Sequence, residues 1–400
     1  MRTFNFVVLA ILGLFFAACD DDDHLGDWAK ATQFSGAGRE AAVCFTDPAT
    51  GTVFVALGYG DRQEEFADIY EFNGSTWNQL NTKFPAPQNP VPGDAQNPTE
   101  NNNGNGRHSA VSFVIDDYAY VGLGYVTPFS GYPTGSTVLI ERDRKFFNDF
   151  YRFNMKTKEW ETVDITPFPG DPRREAVAFS DGTFGYVGTG YGDNSRIYRD
   201  FYKFDPKGTE THNGKTTIGK WETMDALGDA RYGGVSFVIN NAAYVCLGSS
   251  VVSNSGGSPV LDVVKFDFAT QKWEQMGALA DKPGIKQDKD YGRIPRTYAI
   301  SFISNRGKDG ESYAYIAGGS GSNYQRTVWK YNHKKDQWHQ MEDLSRQASA
   351  PVVGGVGFSY DGYGYYTTGS TTMDASSGSA FYIATWRFIP DVKEDRANDY

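Results

Sequence analysis

The chain has 400 residues, 45 of them Gly, with an aromatic share of 15% and a formal charge of −11. Three Cys cannot staple a disulfide scaffold, five His leave little room for a His-rich metal enzyme, and the acidic balance speaks against a nucleic-acid partner. Excess Gly with excess aromatics predicts many short strands joined by tight turns, and the length suits either two or three domains or one repeat array.

The first element is a targeting segment. Arg2 precedes an apolar run from Phe4 to Ala18, too short for a comfortable span of about 20 residues. The run ends Phe16-Ala17-Ala18-Cys19, which resembles the lipobox of bacterial lipoproteins, where small residues precede the cysteine that is lipidated. The resemblance implies a signal peptide over 1–18, a lipid on Cys19, and a place in the cell envelope, at the outer membrane and exposed on the surface. Inner-membrane sorting stays open, and an ordinary secretory signal with a chance Cys is the alternative. Asp20 to Asp23 form an acidic run, similar to the surface-export tags of some lipoproteins and equally readable as a solvated tether over 19–27. Cleavage removes one Arg and no acid, leaving the remainder one unit more acidic.

A repeat follows, marked by Trp28, Trp77, Trp160, Trp221, Trp273 and Trp338. Several of these open a similar phrase, as in Trp221-Glu-Thr-Met224 and Trp273-Glu-Gln-Met276. Upstream of five lies a second phrase: Asp68 to Phe72, Asp149 to Phe153, Asp200 to Phe204, Asp262 to Phe266 and Thr327 to Tyr331. Each unit opens on an Arg (Arg39, Arg107, Arg174, Arg231, Arg296) that leads into a pair of apolar strands. The first strand of the pair reads as nearly continuously apolar, which predicts burial on both faces. Asp116-Asp117 and Asn240-Asn241 suit tight hairpins between the two. Four strands per unit result.

The motif set resembles the kelch repeat, with its opening Arg, Gly pair, Tyr and Trp at a period near 50 residues. The resemblance covers residues 28–389 and implies an all-β, six-bladed kelch-type propeller, with 390–400 as a tail. Gly-Gly survives only at Gly318-Gly319, but a Gly remains in every copy, from Gly58 to Gly369. The last unit lacks a following Trp and Trp28 lacks preceding strands, so the N-terminal strand should complete the C-terminal blade and close the ring.

Within this frame the Trp residues are predicted to pack the blades, and the third-strand Asp residues to bond strand ends. Cys44 and Cys246 fall in the first and fourth blades, across the ring from each other, which predicts two free thiols. Function is expected on the face carrying the long loops 78–106, 125–147, 191–199, 277–295 and 371–380. Loop 125–147 brings Tyr125, Phe129, Tyr132, Glu141, Arg142, Asp143 and Arg144. The repeat residues Arg39, Arg107, Arg174, Arg231 and Arg296 would ring the channel mouth there as forks for an anion, or hydrogen-bond neighbouring backbone as kelch arginines do. Tyr59, Tyr125 and Tyr191 could stack on sugar rings or simply fill blade tops.

Galactose oxidase, whose central propeller is similar, holds copper with two His and two Tyr. His24, His108, His212, His333 and His339 are not expected to converge, so no metal and no cofactor are assigned. The sialate mutarotases are a second similar group; their chemistry would use an Arg for a carboxylate and an acid/base pair, for which no Glu can be matched. The reading is a monomeric, lipid-anchored module that binds an extracellular glycan or an envelope partner protein, with no nucleic-acid partner. An epimerase or mutarotase of an acidic sugar, and a structural subunit of an envelope complex, are the alternatives.

Overall fold

Each repeat folds as one four-stranded antiparallel sheet. In the first blade the strands are Val43–Thr46, Val53–Ala56, Ile69–Phe72 and Trp77–Gln79, paired in that order. Five more sheets repeat the order, and their inner strands succeed one another round a ring: Val111–Ile115, Val177–Ser180, Val235–Ile239, Ile300–Ser304 and Val356–Tyr360. This is a six-bladed, all-β propeller. The computed structural model describes residues 24–61, 64–85, 106–131, 140–142, 144–226, 228–252, 257–277, 279, 290–321, 325–344, 352–371, 380–395 and 397. The expected signal peptide, Cys19 and the acidic run lie outside the described residues, as do Tyr132, Asp143 and most of 78–106, 277–295 and 371–380. Among the described residues no helix is long and apolar enough to cross a membrane.

The N-terminal strand closes the ring. Asp27–Ala31 pairs antiparallel with Thr385–Ile389, setting Trp28 opposite Phe388, and so supplies the fourth strand of the sixth blade. The segment after Ile389 runs back beside this strand: Gly26 N donates to Val392 O (2.7 Å) and Asp395 N to Asp27 Oδ1 (2.9 Å). Strands one and three of every blade start on one face of the ring, called the mouth face below. Strands two and four start on the opposite face, because each neighbour in the sheet is antiparallel. The chain therefore enters the ring at Asp27, and leaves it after Ile389, on the face away from the mouth.

Aromatics fill all six blade interfaces in one pattern. In each blade the third-strand ring packs on the outer-strand Trp, for example Phe204 on Trp221 and Phe388 on Trp28, both at 4.8 Å between centroids. A first-strand Phe stacks on a second-strand Tyr or Phe, as in Phe113–Tyr120 at 5.2 Å and Phe358–Tyr365 at 5.2 Å. The stacked pair of one blade then packs on the Trp-bearing pair of the next: Phe113 meets Phe204 at 5.7 Å and Phe358 meets Phe72 at 5.8 Å. Each such contact adds about 0.5–1.5 kcal/mol beyond area burial, so the ring is held by repeated aromatic interfaces.

The inner strands are not uniformly buried, as continuous apolarity predicted. They alternate: large residues such as Val43 and Phe45 are buried, while Cys44, Ser112, Ala178, Ser236, Ser301 and Gly357 are only half-buried. These small residues sit where adjacent inner strands converge. Ser112 Oγ donates to Cys44 O at 2.9 Å and Ser236 Oγ to Ala178 O at 2.8 Å, and a Cβ on Gly357 would stand 2.4 Å from Ser301 O. Sheets that meet this closely near an axis leave no room for a larger side chain. Cys44 and Cys246 are both free thiols.

Two backbone belts bind the blades on the mouth face. In the first, the glycine after each second strand donates to the next blade, from Gly58 N to Arg107 O (2.9 Å) round to Gly369 N to Arg39 O (2.6 Å). These glycines have φ of 89–106°, and a Cβ on Gly58 would lie 2.8 Å from Glu40 O, so no other residue fits. The second belt uses Ala41, Ser109, Glu175, Gly233, Tyr298 and Gly354, all left-handed at φ 52–63°. Each N–H donates to the carbonyl of its counterpart one blade back, at 2.7–3.2 Å, and Ala41 N to Gly354 O completes the circle. One outlier breaks the symmetry. In the third blade, Phe201–His212 and Lys215–Met224 extend the outer hairpin, with a bulge between Asp205 and Thr209, which explains the long interval from Phe204 to Trp221.

Candidate functional site at the ring mouth

The repeat arginines are buried clamps. Arg39 donates to Asp68 Oδ1 at 2.5 Å and to Leu57 O at 3.0 Å; Arg107 donates to Asp149 Oδ1 at 2.5 Å and to Leu123 O at 3.0 Å. Arg231 pairs with Asp262 in the same way and reaches Leu247 O at 3.3 Å. Their guanidinium groups lie over aromatic faces, Arg107 at 3.8 Å from the Phe147 centroid. The predicted third-strand aspartates are thus partners of the repeat arginines. The fifth blade differs: Arg296 meets Thr327 Oγ1 (2.7 Å) and the carbonyls of Gly318, Ile294, Arg293 and Thr327. Without a carboxylate in contact, burial and the nearby Arg293 push its pKa down to about 9.

Two expectations for these residues change. The clamp of the third blade is Arg173, which reaches Asp200 Oδ1 at 2.5 Å and Thr189 O at 3.1 Å, and not Arg174. The clamp stands four residues before the inner strand in every blade that has one, and that spacing selects Arg173. Nor do Arg39, Arg107, Arg231 and Arg296 present open forks at the mouth: each is at most 1% exposed and engaged by its own blade.

The residue immediately after each clamp position crowns the channel. These are Glu40, His108, Arg174, Tyr232, Thr297 and Val353, each bridged to the residue that follows the belt glycine: Tyr59, Tyr125, Tyr191, Ser249, Ser320 and Ser370. The predicted tyrosines Tyr59, Tyr125 and Tyr191 are therefore brought together, with Arg174 among them. Their rings belong to a continuous arc: Tyr59–His108 at 5.1 Å, His108–Tyr125 at 5.3 Å, Tyr125–Phe146 at 4.8 Å, Phe146–Tyr191 at 5.8 Å and Tyr191–Tyr232 at 5.3 Å. Tyr298 (6.2 Å from Tyr232) and Phe381 (6.5 Å from Tyr59) extend its two ends. Tyr191, Tyr298 and Phe381 are half-buried, so the arc reaches solvent there.

A polar cluster packs against the arc. Arg174 lies over Tyr125 and Tyr191, with its guanidinium carbon 4.5 and 4.9 Å from their centroids. Its Nε stands 3.1 Å from Glu175 Oε1, and its Nη1 stands 3.3 Å from His108 Nε2. His108 Nδ1 is 3.7 Å from Glu65 Oε1, which also accepts from Thr127 N (2.8 Å) and Thr127 Oγ1 (2.6 Å). Glu40 accepts from Ser370 Oγ across the closure. Glu40, Glu65, His108, Arg174 and Glu175 are all buried. Glu175, Arg174, His108 and Glu65, each in reach of the next, form a chain of the kind that can orient hydroxyl groups and relay a proton. Among the described residues no group of three or more His, Cys, Asp or Glu side chains is placed to hold a metal ion.

Sequence reasoning missed Glu40, Glu65, Glu175, Tyr232 and Tyr298, and placed His108 only at an inner strand. Of the predicted loop residues, Arg144 pairs with Asp193 at 2.8 Å on the exposed rim, and Phe129–Gly131 pairs with Ile140–Arg142 as a short ribbon above the mouth face. Phe129, Glu141 and Arg142 lie on that ribbon; their side chains are outside the described residues.

The family described as the KLHDC2/KLHL20/DRC7 Kelch-repeats domain matches residues 135–369, more than half of the chain. It is a kelch-repeat protein. The kelch ring is also similar to the solved structure of YjhT, with a TM-score of 0.58 at 15% identity over 89% of this chain and 96% of that one, a likeness of fold. No curated protein matches the chain. The clamp arginines, belt glycines and outer-strand tryptophans recur from blade to blade, whereas at the crown six blades carry six different residues, and that variation sets this kelch protein's mouth apart from its scaffold.

Proposed function

We propose that this kelch propeller is a carbohydrate-binding module of the cell envelope that seats a sugar ring at its mouth. The observation that carries the reading is the arc of Tyr59, His108, Tyr125, Tyr191 and Tyr232, which reaches solvent at Tyr191 and carries Arg174 over the Tyr125 and Tyr191 rings. Aromatic faces take the C–H side of a sugar, and charged side chains take its hydroxyls, which is the mixture a concave ligand site needs. A rigid ring with two closed backbone belts costs little to organise on binding. The test is a glycan array followed by calorimetry on the chain from residue 24 onward. Tyr191→Ala should weaken the best ligand by about tenfold or more, the loss of one stacking contact and its burial. An array with no hits, together with capture of an envelope protein through the same face, would replace the glycan by a partner protein.

A second reading is favoured by the contact of Glu65 with His108. A carboxylate beside an imidazole is the pairing that moves protons in a general acid–base reaction, and opening and closing a sugar ring at its anomeric centre is such a reaction. NMR exchange spectroscopy on reducing sugars tests it: anomer exchange no faster than in buffer rejects catalysis. Export and lipid anchoring rest on Phe4 to Cys19, and Cys19→Ala should abolish labelling by a fatty-acid probe. A purely structural subunit would bind no sugar and would co-purify with an envelope complex.

A further inference from the structure

We infer that the sixth blade holds a small anion of halide size in the place that a clamp fills elsewhere in the ring. The position four residues before the inner strand is Arg39, Arg107, Arg173, Arg231 and Arg296 in five blades and Val352 in the sixth. The position before the third strand, an aspartate in four blades and Thr327 in the fifth, is Ala384. Both halves of the clamp are thus replaced by short alkyl side chains. A third exchange accompanies them in the second strand. The residue paired with Tyr70, Tyr151, Tyr202, Val264 or Trp329 is Val or Ile, but in the sixth blade the residue paired with Trp386 is Tyr366.

These exchanges leave three donors round the vacated place. Tyr366 is 2% exposed, and its hydroxyl meets no acceptor among the described residues. Tyr382 holds the position from which Phe66, Phe147 and Tyr198 cover a clamp guanidinium at 3.7–4.1 Å. Its buried hydroxyl likewise has no partner among the described residues. In the fifth blade Trp329 Nε1 donates to Thr327 Oγ1 at 3.2 Å; the equivalent Trp386 Nε1 has Ala384 in that place and no acceptor among the described residues. Val352, Tyr366 and Trp386 belong to one packed cluster, with Tyr382 and Ala384 against it. Arg326 enters from the fifth blade. Its Nη2 donates to Leu344 O (2.6 Å) in the same cluster, and its charge acts on both tyrosine hydroxyls against the upward push of burial.

The donor set selects the ligand. An indole N–H and a guanidinium only donate, and a tyrosine hydroxyl donates readily. Buried donors left unmet cost stability, and a negatively charged acceptor forms the stronger bond with each. A water would bring two hydrogens of its own to a place already supplied with donors. No carboxylate among the described residues acts on either hydroxyl, so an anion meets Arg326 and no like charge. Tyr366 refills part of the volume that the Arg and Asp would occupy, which keeps the ion small. Tyr382, Ala384 and Arg326 are half-buried and leave access from the mouth face. Because this blade joins the two ends of the chain, an ion here would fasten the closure of the ring.

Thermal scans in sodium chloride, sodium bromide and sodium gluconate at one ionic strength test this. Chloride and bromide should raise Tm saturably, by about 5 °C at a hundredfold excess over the dissociation constant; gluconate, too large for the place, should not. Tyr366→Phe should be at least as stable as wild type in gluconate, since it removes an unmet hydroxyl, and should lose the rise with halide. A Tm that is the same in the three salts, or a rise that Tyr366→Phe retains, overturns the inference. Anomalous diffraction from bromide-soaked crystals gives an independent reading. A peak within hydrogen-bond reach of the Tyr366 hydroxyl is expected, and bromide found only elsewhere on the molecule would overturn the site.

Discussion

The fifth blade supplies a natural contrast for the clamp. Arg107 is fully buried and held by Asp149, which also accepts from Tyr151 OH at 3.0 Å. In the fifth blade Thr327 stands where Asp149 does, and Trp329 Nε1 donates to it at 3.2 Å as Tyr151 does to Asp149. Asp149→Thr therefore builds the fifth-blade clamp in the second blade. Breaking a buried pair costs about 3–5 kcal/mol, and the new hydroxyl returns about 1 kcal/mol, for a net loss of about 2–4 kcal/mol. Thr327→Asp does the reverse. It replaces a neutral acceptor with a charged one, a gain of about 1–2 kcal/mol. At about 2 °C per kcal/mol for a chain this large, Tm should fall by about 4–8 °C in the first variant and rise by about 2–4 °C in the second. The pH dependence adds a second readout. A base whose folded pKa is depressed destabilises the fold below that pKa and ceases to do so as pH rises through it. Arg296, pushed down to about 9, carries this penalty at neutral pH. The advantage of Thr327→Asp over wild type should therefore be full at pH 7 and shrink between pH 9 and 11. Thermal scans at a series of pH values check both points. Shifts of the same sign in the two variants, or an advantage that grows with pH, would refute the clamp argument.

Three further outcomes are expected. Arg173→Ala should cost about 3–5 kcal/mol of stability and leave ligand preference alone, whereas Arg174→Ala should alter ligand affinity more than Tm; calorimetry and thermal scans on both separate the two neighbours. Gly190→Ala places a Cβ 2.7 Å from Arg174 O at φ 92°, so it should lower stability by about 2 kcal/mol or more, read by denaturant titration. Burial pushes the Cys246 thiol up to about 12, so it should resist alkylation at pH 8 in the native ring and react fully in denaturant. Because its folded pKa lies above the ordinary value, the fold should lose stability as pH rises from about 9 towards 12, and Cys246→Ala should lessen that loss.

The scaffold was legible because it repeats. Every outer-strand Trp has a third-strand Phe or Tyr ring beneath it, and the incomplete units at Trp28 and Phe388 announced the closure. The mouth was hidden by the same logic. Glu40, His108, Arg174, Tyr232, Thr297 and Val353 share a position and nothing else, so a search for recurring residues passes over them. Arg173 and Arg174 show the cost most plainly. Two adjacent arginines competed for one role, and only the four-residue spacing to the inner strand separates clamp from crown. Glu65 carried no signal at all, since its place beside His108 depends on two loops from different blades.

Asp27, where the chain joins the ring, bears on how the molecule would stand on a membrane. The proposed lipid on Cys19 is eight residues upstream, a reach of at most about 28 Å at full extension. Because the closing strand starts on the far face, such a leash would pull that face towards the bilayer and turn the mouth outwards. Asp20 to Asp23 would keep the leash itself off an anionic headgroup layer. The propeller would then stand as an upright cup, its binding arc pointed at whatever approaches from the medium and out of reach of the lipids that hold it.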